Sequence, residues 1–212
     1  MKLYLDIISP KPKFILFDNN NLIKTLELLD KKKSKISDSI DIKYLELSNK
    51  YNFARKLSHL YICIGPASYT ALRVGISFLL GLSYSLNIPL ISFKYETFLK
   101  HYIKRNHYFN TVIFIFSSQN QNFIFYPKNK IKKYEIEKIR YDELMTNKKI
   151  FLYKNCLINT NLSRKILDKI NKKFDNTKIL ECSDYFNFFK NNVKDNKKLI
   201  KPLYISDNKI FD

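Results

Sequence analysis

The chain contains three glycines, Gly65, Gly75 and Gly81, and all of them fall between residues 65 and 81. In a sequence of 212 residues that otherwise avoids glycine, each is expected to meet a backbone need. Gly65 follows the apolar run LYICI at 60–64 and precedes Pro66. A buried strand that turns there needs a residue able to take positive φ, and glycine does so at no steric cost. Ser68 and Thr70 then stand where a helix opens, and either hydroxyl can cap it. Free N–H groups at such an opening also suit an anion. Asp6, in the apolar run at 3–8, is a lone strand-end carboxylate that could hold a metal beside such a site. Asp6, Gly65, Ser68 and Thr70 are therefore the candidate nucleotide- or anion-binding residues.

Other reactive side chains point to less. His59, His101 and His107 show no metal-ligand spacing, so no metal site is expected. No Gly-x-Ser-x-Gly elbow exists, and helix capping is preferred over a nucleophilic role for Ser68. Cys63, Cys156 and Cys182 are widely spaced and odd in number. That pattern fits neither zinc nor a disulfide framework and implies a reducing, cytoplasmic compartment. Cys63 lies inside an apolar run and reads as inert core. The start MKLYLDIISPK lacks the features of a signal peptide. No run approaches the ~20 apolar residues of a membrane span.

Turns and periodicity give the strands and helices around these residues. Runs at 3–8 and 13–18 flank Ser9-Pro10-Lys11-Pro12 and read as a strand hairpin. Asn19-Asn20-Asn21 is a second turn, and 22–29 fits a strand or a helix. After the connector Lys31-Lys32-Lys33, Ser37 with Asp38 is placed to cap a helix over 38–50. Ile40, Tyr44, Leu47 and Tyr51 form its apolar face. The run at 60–64 reads as a central strand, 69–87 as a helix, 88–92 as a strand and 95–104 as a helix. A second hairpin is expected at 111–117 and 122–126, around 118–121. Short strands follow at 150–153, 178–181 and 203–205, with helices near 161–173 and 184–194. The division is a first lobe at 1–105 and a smaller one at 106–212, and no internal repeat is visible.

The helix at 69–87 has Arg73 as its only charge and must be covered on more than one side. Ser77, Gly81 and Ser85 recur every fourth residue and make a smooth row. That row can pack on the chain's own sheet or receive a partner helix. The candidate partner-binding residues are Ile40, Tyr44, Leu47, Tyr69, Leu72, Arg73, Ile76, Ser77, Gly81 and Ser85.

The net charge is +19, which invites a nucleic-acid reading. Arginine, however, occurs only at 55, 73, 105, 140 and 164 among 38 basic residues. Planar phosphate and base recognition favours arginine. Abundant Lys, Ile, Asn, Phe and Tyr with scarce Gly, Ala and Trp is the profile of an AT-rich genome, and the charge is read first as that bias.

The segment GPASYTALRVG resembles the signature GPGSFTGLRIG of the TsaB (YeaZ) family, which also closes a strand and opens a helix. Gly65, Pro66, Ser68, Thr70, Leu72, Arg73 and Gly75 match, while Ala67 and Ala71 replace glycines. Ser37-Asp38, Ile88-Pro89-Leu90-Ile91 and Pro202-Leu203-Tyr204-Ile205 extend the likeness. The resemblance implies an actin-like (ASKHA/RNase H-like) α/β fold with two lobes of mixed sheets flanked by helices. It implies a non-catalytic subunit that activates a TsaD-like catalytic partner in making threonylcarbamoyladenosine on tRNA. A TsaE-like ATPase is a second partner it allows, the tRNA is contacted only indirectly, and a homodimer is plausible when the chain is alone. No cofactor, catalytic side chain or membrane is implied.

Departures from the family pattern weaken a nucleotide site. Asp6 is followed by Ile7-Ile8-Ser9-Pro10 in place of an Asp-Thr-Ala turn. Ser117-Ser118-Gln119 replaces an Asp-Ala-Arg segment, and Ser206 replaces a closing arginine. An autonomous ATPase of this fold needs metal-binding carboxylates and phosphate-loop glycines. Two rival readings stay open: a free-standing small-molecule kinase of actin-like fold, and a basic RNA-binding module.

Overall fold

Alternating apolar residues broken by turns make the first segment a three-stranded antiparallel meander. Its strands are β1 (Lys2–Asp6), β2 (Lys13–Asp18) and β3 (Asn21–Glu27). Tyr4 lies opposite Ile15 and Phe14 opposite Leu26. The stretch that pattern left open between strand and helix is thus a strand. It is largely exposed because it forms the sheet edge. The computed structural model describes residues 1–19, 21–29, 35–108, 110–117, 122–128, 133–140, 143, 146, 148–160, 162–191, 200, 204–206 and 209–211. The expected turn residue Asn20, the connector Lys31-Lys32-Lys33, the turn at 118–121, and Pro202 and Leu203 lie outside them.

Helix α1 (Ile36–Tyr51) buries Ile40, Tyr44 and Leu47, the face expected from their spacing. Its start differs from expectation. Lys35 is the N-cap, with no side-chain cap bond, and Ser37 Oγ donates to Asp38 Oδ1 at 2.8 Å. Ser37 and Asp38 therefore sit inside the first turn, where the carboxylate still complements the helix dipole. Strand β4 (His59–Cys63) runs parallel to β1, with Tyr61 beside Tyr4. Helix α2 (Tyr69–Leu86) leads to β5 (Leu90–Phe93), parallel to β4, and α3 (Tyr95–Asn106) follows. The sheet order is β3-β2-β1-β4-β5.

The second sheet holds β6 (Thr111–Phe116), β7 (Asn122–Lys128), β8 (Lys133–Ile139), β9 (Asn155–Ile158) and β10 (Asn176–Ile179). Helix α4 (Arg164–Asn171) links the last two, and α5 (Cys182–Asn191) follows. The short pair β11 (Tyr204–Ser206) and β12 (Lys209–Phe211) closes the chain. Strand β8, KYEIEKI, is too rich in charge for its pattern alone to mark a strand. It forms because β7 offers it a full antiparallel ladder. The strand expected at 150–153 is instead a 3₁₀ turn, Lys148–Leu152, that buries Ile150. The strand there starts later, at Asn155, where Cys156 can pair beside Val112.

The second order, β10-β9-β6-β7-β8, repeats the first. In each sheet the first three strands are antiparallel, and the fourth and fifth run parallel to the first. Helix α4 holds the place of α2, and α5 that of α3. The duplication escapes inspection of the sequence because the two copies share apolar alternation and little else.

Side-chain contacts fix the layers. Tyr44 and Phe78 pack on Phe14, so α1 and α2 cover one face of the first sheet. Tyr4, Phe17, Tyr61 and Phe93 point to the other face and meet Tyr185, Phe186, Phe188 and Phe189 of α5. Phe98 of α3 stacks on Tyr185 at 4.4 Å, and Tyr95 reaches Phe125 of the second sheet. Each such aromatic pair adds about 0.5–1.5 kcal/mol beyond area burial. The outer face of the second sheet packs Val112, Phe114 and Ile158 with Ile170 of α4 and Phe174 just beyond it. The layers run α1/α2, first sheet, α3/α5, second sheet, α4.

Candidate partner-binding helix and the turn that launches it

The strand-to-helix turn is built as its residue types suggest. Gly65 has φ 126°, and the Gly65–Pro66 peptide is cis. The Gly65 carbonyl accepts from the Tyr95 backbone N–H at 3.2 Å and from Cys63 Sγ at 3.7 Å. Ser68 is the N-cap of α2, and its Oγ accepts from the Ala71 N–H at 3.3 Å. Ser68 is 1% exposed, so its hydroxyl is committed to the cap. Thr70 faces outward. Ala67 and Ala71, which stand where the family pattern has glycine, are both buried.

Asp6 is likewise committed within the chain. It is 4% exposed, and its Oδ1 accepts from the backbone N–H groups of Ile8 and Ser9, both at 3.1 Å. Its Oδ2 lies 3.9 Å from Lys13 Nζ. Both hydrogen bonds stay local and hold the turn after β1, while the ion pair ties that turn to β2. Asp6 and Gly65 do lie at the ends of two neighbouring parallel strands, as a nucleotide site would need. The carboxylate and the Ser68 hydroxyl nevertheless spend their hydrogen bonds on the fold. Burial pushes the Cys63 thiol well up, so it stays protonated at neutral pH. Among the described residues no cluster of three His, Cys, Asp or Glu side chains can hold a metal ion.

The two glycines of α2 have different surroundings. Gly75 faces the sheet, where an added Cβ would lie 2.9 Å from Ile7 Cδ1. Among the described residues, Gly81 has nothing within 4 Å of the same point. The close approach to the sheet is therefore made at Gly75, and the Ser77–Gly81–Ser85 row is exposed. Tyr69 and Arg73 extend that face, and the Arg73 guanidinium lies 4.0 Å from the Tyr69 ring centroid. Stacking of this kind holds a long side chain in one orientation.

The candidate partner residues thus divide in two. Tyr69, Arg73, Ser77, Gly81 and Ser85 lie on the surface. Ile40, Tyr44, Leu47, Leu72 and Ile76 are buried in the chain's own core, and their role is to seat α1 and α2. Apolar positions on these helices that the sequence pattern did not single out are exposed instead: Tyr84 at 83%, Ile42 at 60% and Leu45 at 56%. Their signal was present. Ile42 and Leu45 fall off the Ile40–Tyr44–Leu47 stripe, and Tyr84 falls on the Ser77–Gly81 side of α2.

Two mixed sheets of one topology, with helices between and outside them, define an actin-like α/β fold. One solved structure agrees at the level of fold. A crystal structure of an uncharacterized protein with similarity to peptidase YeaZ from Pseudomonas aeruginosa matches with a TM-score of 0.58 and 11% identity. That match covers 97% of this chain and 99% of the other. YeaZ from Pseudomonas aeruginosa matches with a TM-score of 0.44 and 11% identity, over 66% of each chain. No family model matches the sequence. No curated protein matches it either.

Proposed function

We propose that this chain is a divergent TsaB-type subunit. In this reading it binds a TsaD-like catalytic subunit and supports threonylcarbamoyladenosine formation on tRNA without a catalytic side chain of its own. The observation that carries the reading is the outward face of α2, lined by Tyr69, Arg73, Ser77, Gly81, Tyr84 and Ser85, beside exposed Ile42 and Leu45 of α1. A small-residue row lets a partner helix approach closely, and the flanking aromatic and apolar side chains give it area to bury. The likeness of GPASYTALRVG to the family signature, with the YeaZ-like fold, supports a TsaD-like partner.

The first lobe, 1–105, carries this surface, and 106–212 forms the smaller lobe. A TsaE-like ATPase joins the same complex, and the chain pairs with itself through the same helices when the partner is missing. The setting is cytoplasmic. Among the described residues no helix is long and apolar enough to cross a membrane. An activating subunit works only by binding the active state of its partner better than the inactive one.

The test is co-purification with the TsaD-like subunit of the same organism, then tRNA modification with and without this chain. Complex formation and loss of modification in its absence are expected. Full modification without the chain would count against the proposal. The kinase reading makes a different prediction: ATP turnover by the purified chain alone, abolished by Asp6→Asn.

A further inference from the structure

The two outer layers of the molecule differ in charge. Helix α1 sets Asp38, Asp41 and Glu46 against Lys43 and Lys50, and α2 carries Arg73 alone. Helix α4 occupies the corresponding outer position on the second sheet. Its inward residues are Ile166, Leu167 and Ile170, packed on the second core. Its outward residues are Arg164, Lys165, Asp168 and Lys169, joined by Lys172 just past the helix end, and all five are exposed. At 100° per residue the four cations share one side of the helix, with Asp168 the single opposing charge. A genome-wide preference for lysine would load every outer face alike, and α1 and α2 are not loaded. Among the described residues none of the four cations is held in an ion pair with an acidic side chain.

We infer that the outer face of α4 binds the phosphate backbone of RNA through Arg164, Lys165, Lys169 and Lys172. The choice of RNA over other polyanions rests on the proposed function and replaces the indirect tRNA role with a direct contact. From Arg164 to Lys172 the helix rises about 12 Å, enough to follow successive phosphates along one strand. Helix α4 has no aromatic residue, so it offers no base-stacking platform. Contacts of this kind position an RNA without reading its sequence.

The test uses the full chain and a labelled unmodified tRNA transcript, followed by fluorescence anisotropy from about 50 to 200 mM salt. The triple variant Lys165→Gln, Lys169→Gln, Lys172→Gln is expected to bind more than tenfold more weakly. Its log–log salt slope should flatten by roughly 0.7–0.9 for each phosphate no longer neutralised. The three Lys→Arg changes at the same positions should keep binding, which controls for folding. Lys24, Lys50 and Lys94, exposed elsewhere, should cost about twofold when changed together to Gln. Equal losses in the two Gln triples, or no tRNA binding by the unaltered chain at the lowest salt, would overturn the inference. So would α4-dependent binding to phosphatidylserine vesicles with no binding to tRNA. No TsaD-like subunit is present in this assay, so its outcome and that of the co-purification are independent.

Discussion

A Cβ added to Gly75 would come within 2.9 Å of Ile7 Cδ1, 3.1 Å of Ile7 Cγ2 and 3.3 Å of Leu5 Cδ2. Helix α2 therefore rests directly on the end of β1, and glycine is what permits it. Gly75→Val should destabilise the fold by about 1–3 kcal/mol through overpacking. Gly81→Ala, in open space on the same helix, should stabilise it by about 0.5–1 kcal/mol. Urea midpoints of the two variants should move in opposite directions. Movement in the same direction would show that the helix does not seat as described.

The outward face of α2 makes a separate prediction. Gly81→Arg fills the smooth row without touching the core. Stability should stay within about 1 kcal/mol, while affinity for the TsaD-like subunit falls at least tenfold, or about 1.4 kcal/mol. Titration calorimetry with the folded variant measures this. Unchanged affinity would move the partner surface elsewhere.

Asp6 tests whether the carboxylate serves the fold or a ligand. Asp6→Ala leaves the Ile8 and Ser9 N–H groups without their acceptor and should cost about 2–4 kcal/mol. Asp6→Asn should cost less, because an amide oxygen still accepts from both while the Lys13 ion pair is broken. Thermal melts of the two variants decide the matter. Two stable, ATP-insensitive variants would contradict the structural role.

Asn159 continues the β6–β9 ladder one residue past β9. Its side chain accepts from the Phe116 N–H and donates to the Phe116 carbonyl, both at 2.8 Å. Asn159→Ala leaves both buried backbone groups unpaired and should cost about 2–4 kcal/mol. Asn159→Asp keeps the acceptor but sets a carboxylate oxygen against the Phe116 carbonyl and buries a charge, so at neutral pH it should cost at least as much as the alanine variant in urea unfolding.

Alkaline pH should unfold the protein in a defined window. Burial pushes the Tyr4, Tyr95 and Tyr185 hydroxyls well above the ordinary 10.0, and that of Tyr61 up to about 12. In the unfolded chain these groups lose their protons near 10. Their folded-state values are raised, so the tyrosine contribution to stability is fully present below pH 10 and is lost as pH climbs toward those values, while buried Cys63 and Cys156 begin to cost stability about one unit lower. Each buried tyrosine adds a slope of about 1.4 kcal/mol per pH unit in that range. Unfolding midpoints between pH 8 and 12, with phenolate absorbance followed in parallel, check it. A stability that stays flat between pH 10 and 12 would contradict the burial.

What residue type alone could place, the sequence placed. Proline and glycine punctuate the first lobe, and local backbone chemistry acts over a few residues. Hence the β1–β2 hairpin, the positive φ of Gly65, the Ser68 cap and the Ile40–Tyr44–Leu47 face were all legible. Misreadings came where long-range pairing overrules local pattern. Strand β8 is charged yet completes a ladder, and 150–153 is apolar yet only anchors a turn.

Residue types along one short segment suffice to make a strand turn at Gly65 and launch an apolar helix rich in small residues. Those are consequences of φ and of apolar spacing along one segment. Which side of that helix is core and which is surface is fixed by packing. That choice depends on residues distant in the chain: Ile7 takes the space beside Gly75, while among the described residues nothing approaches Gly81. The same holds for Asp6, whose carboxylate looks free in a linear reading and is closed by its own turn once the backbone folds back on it.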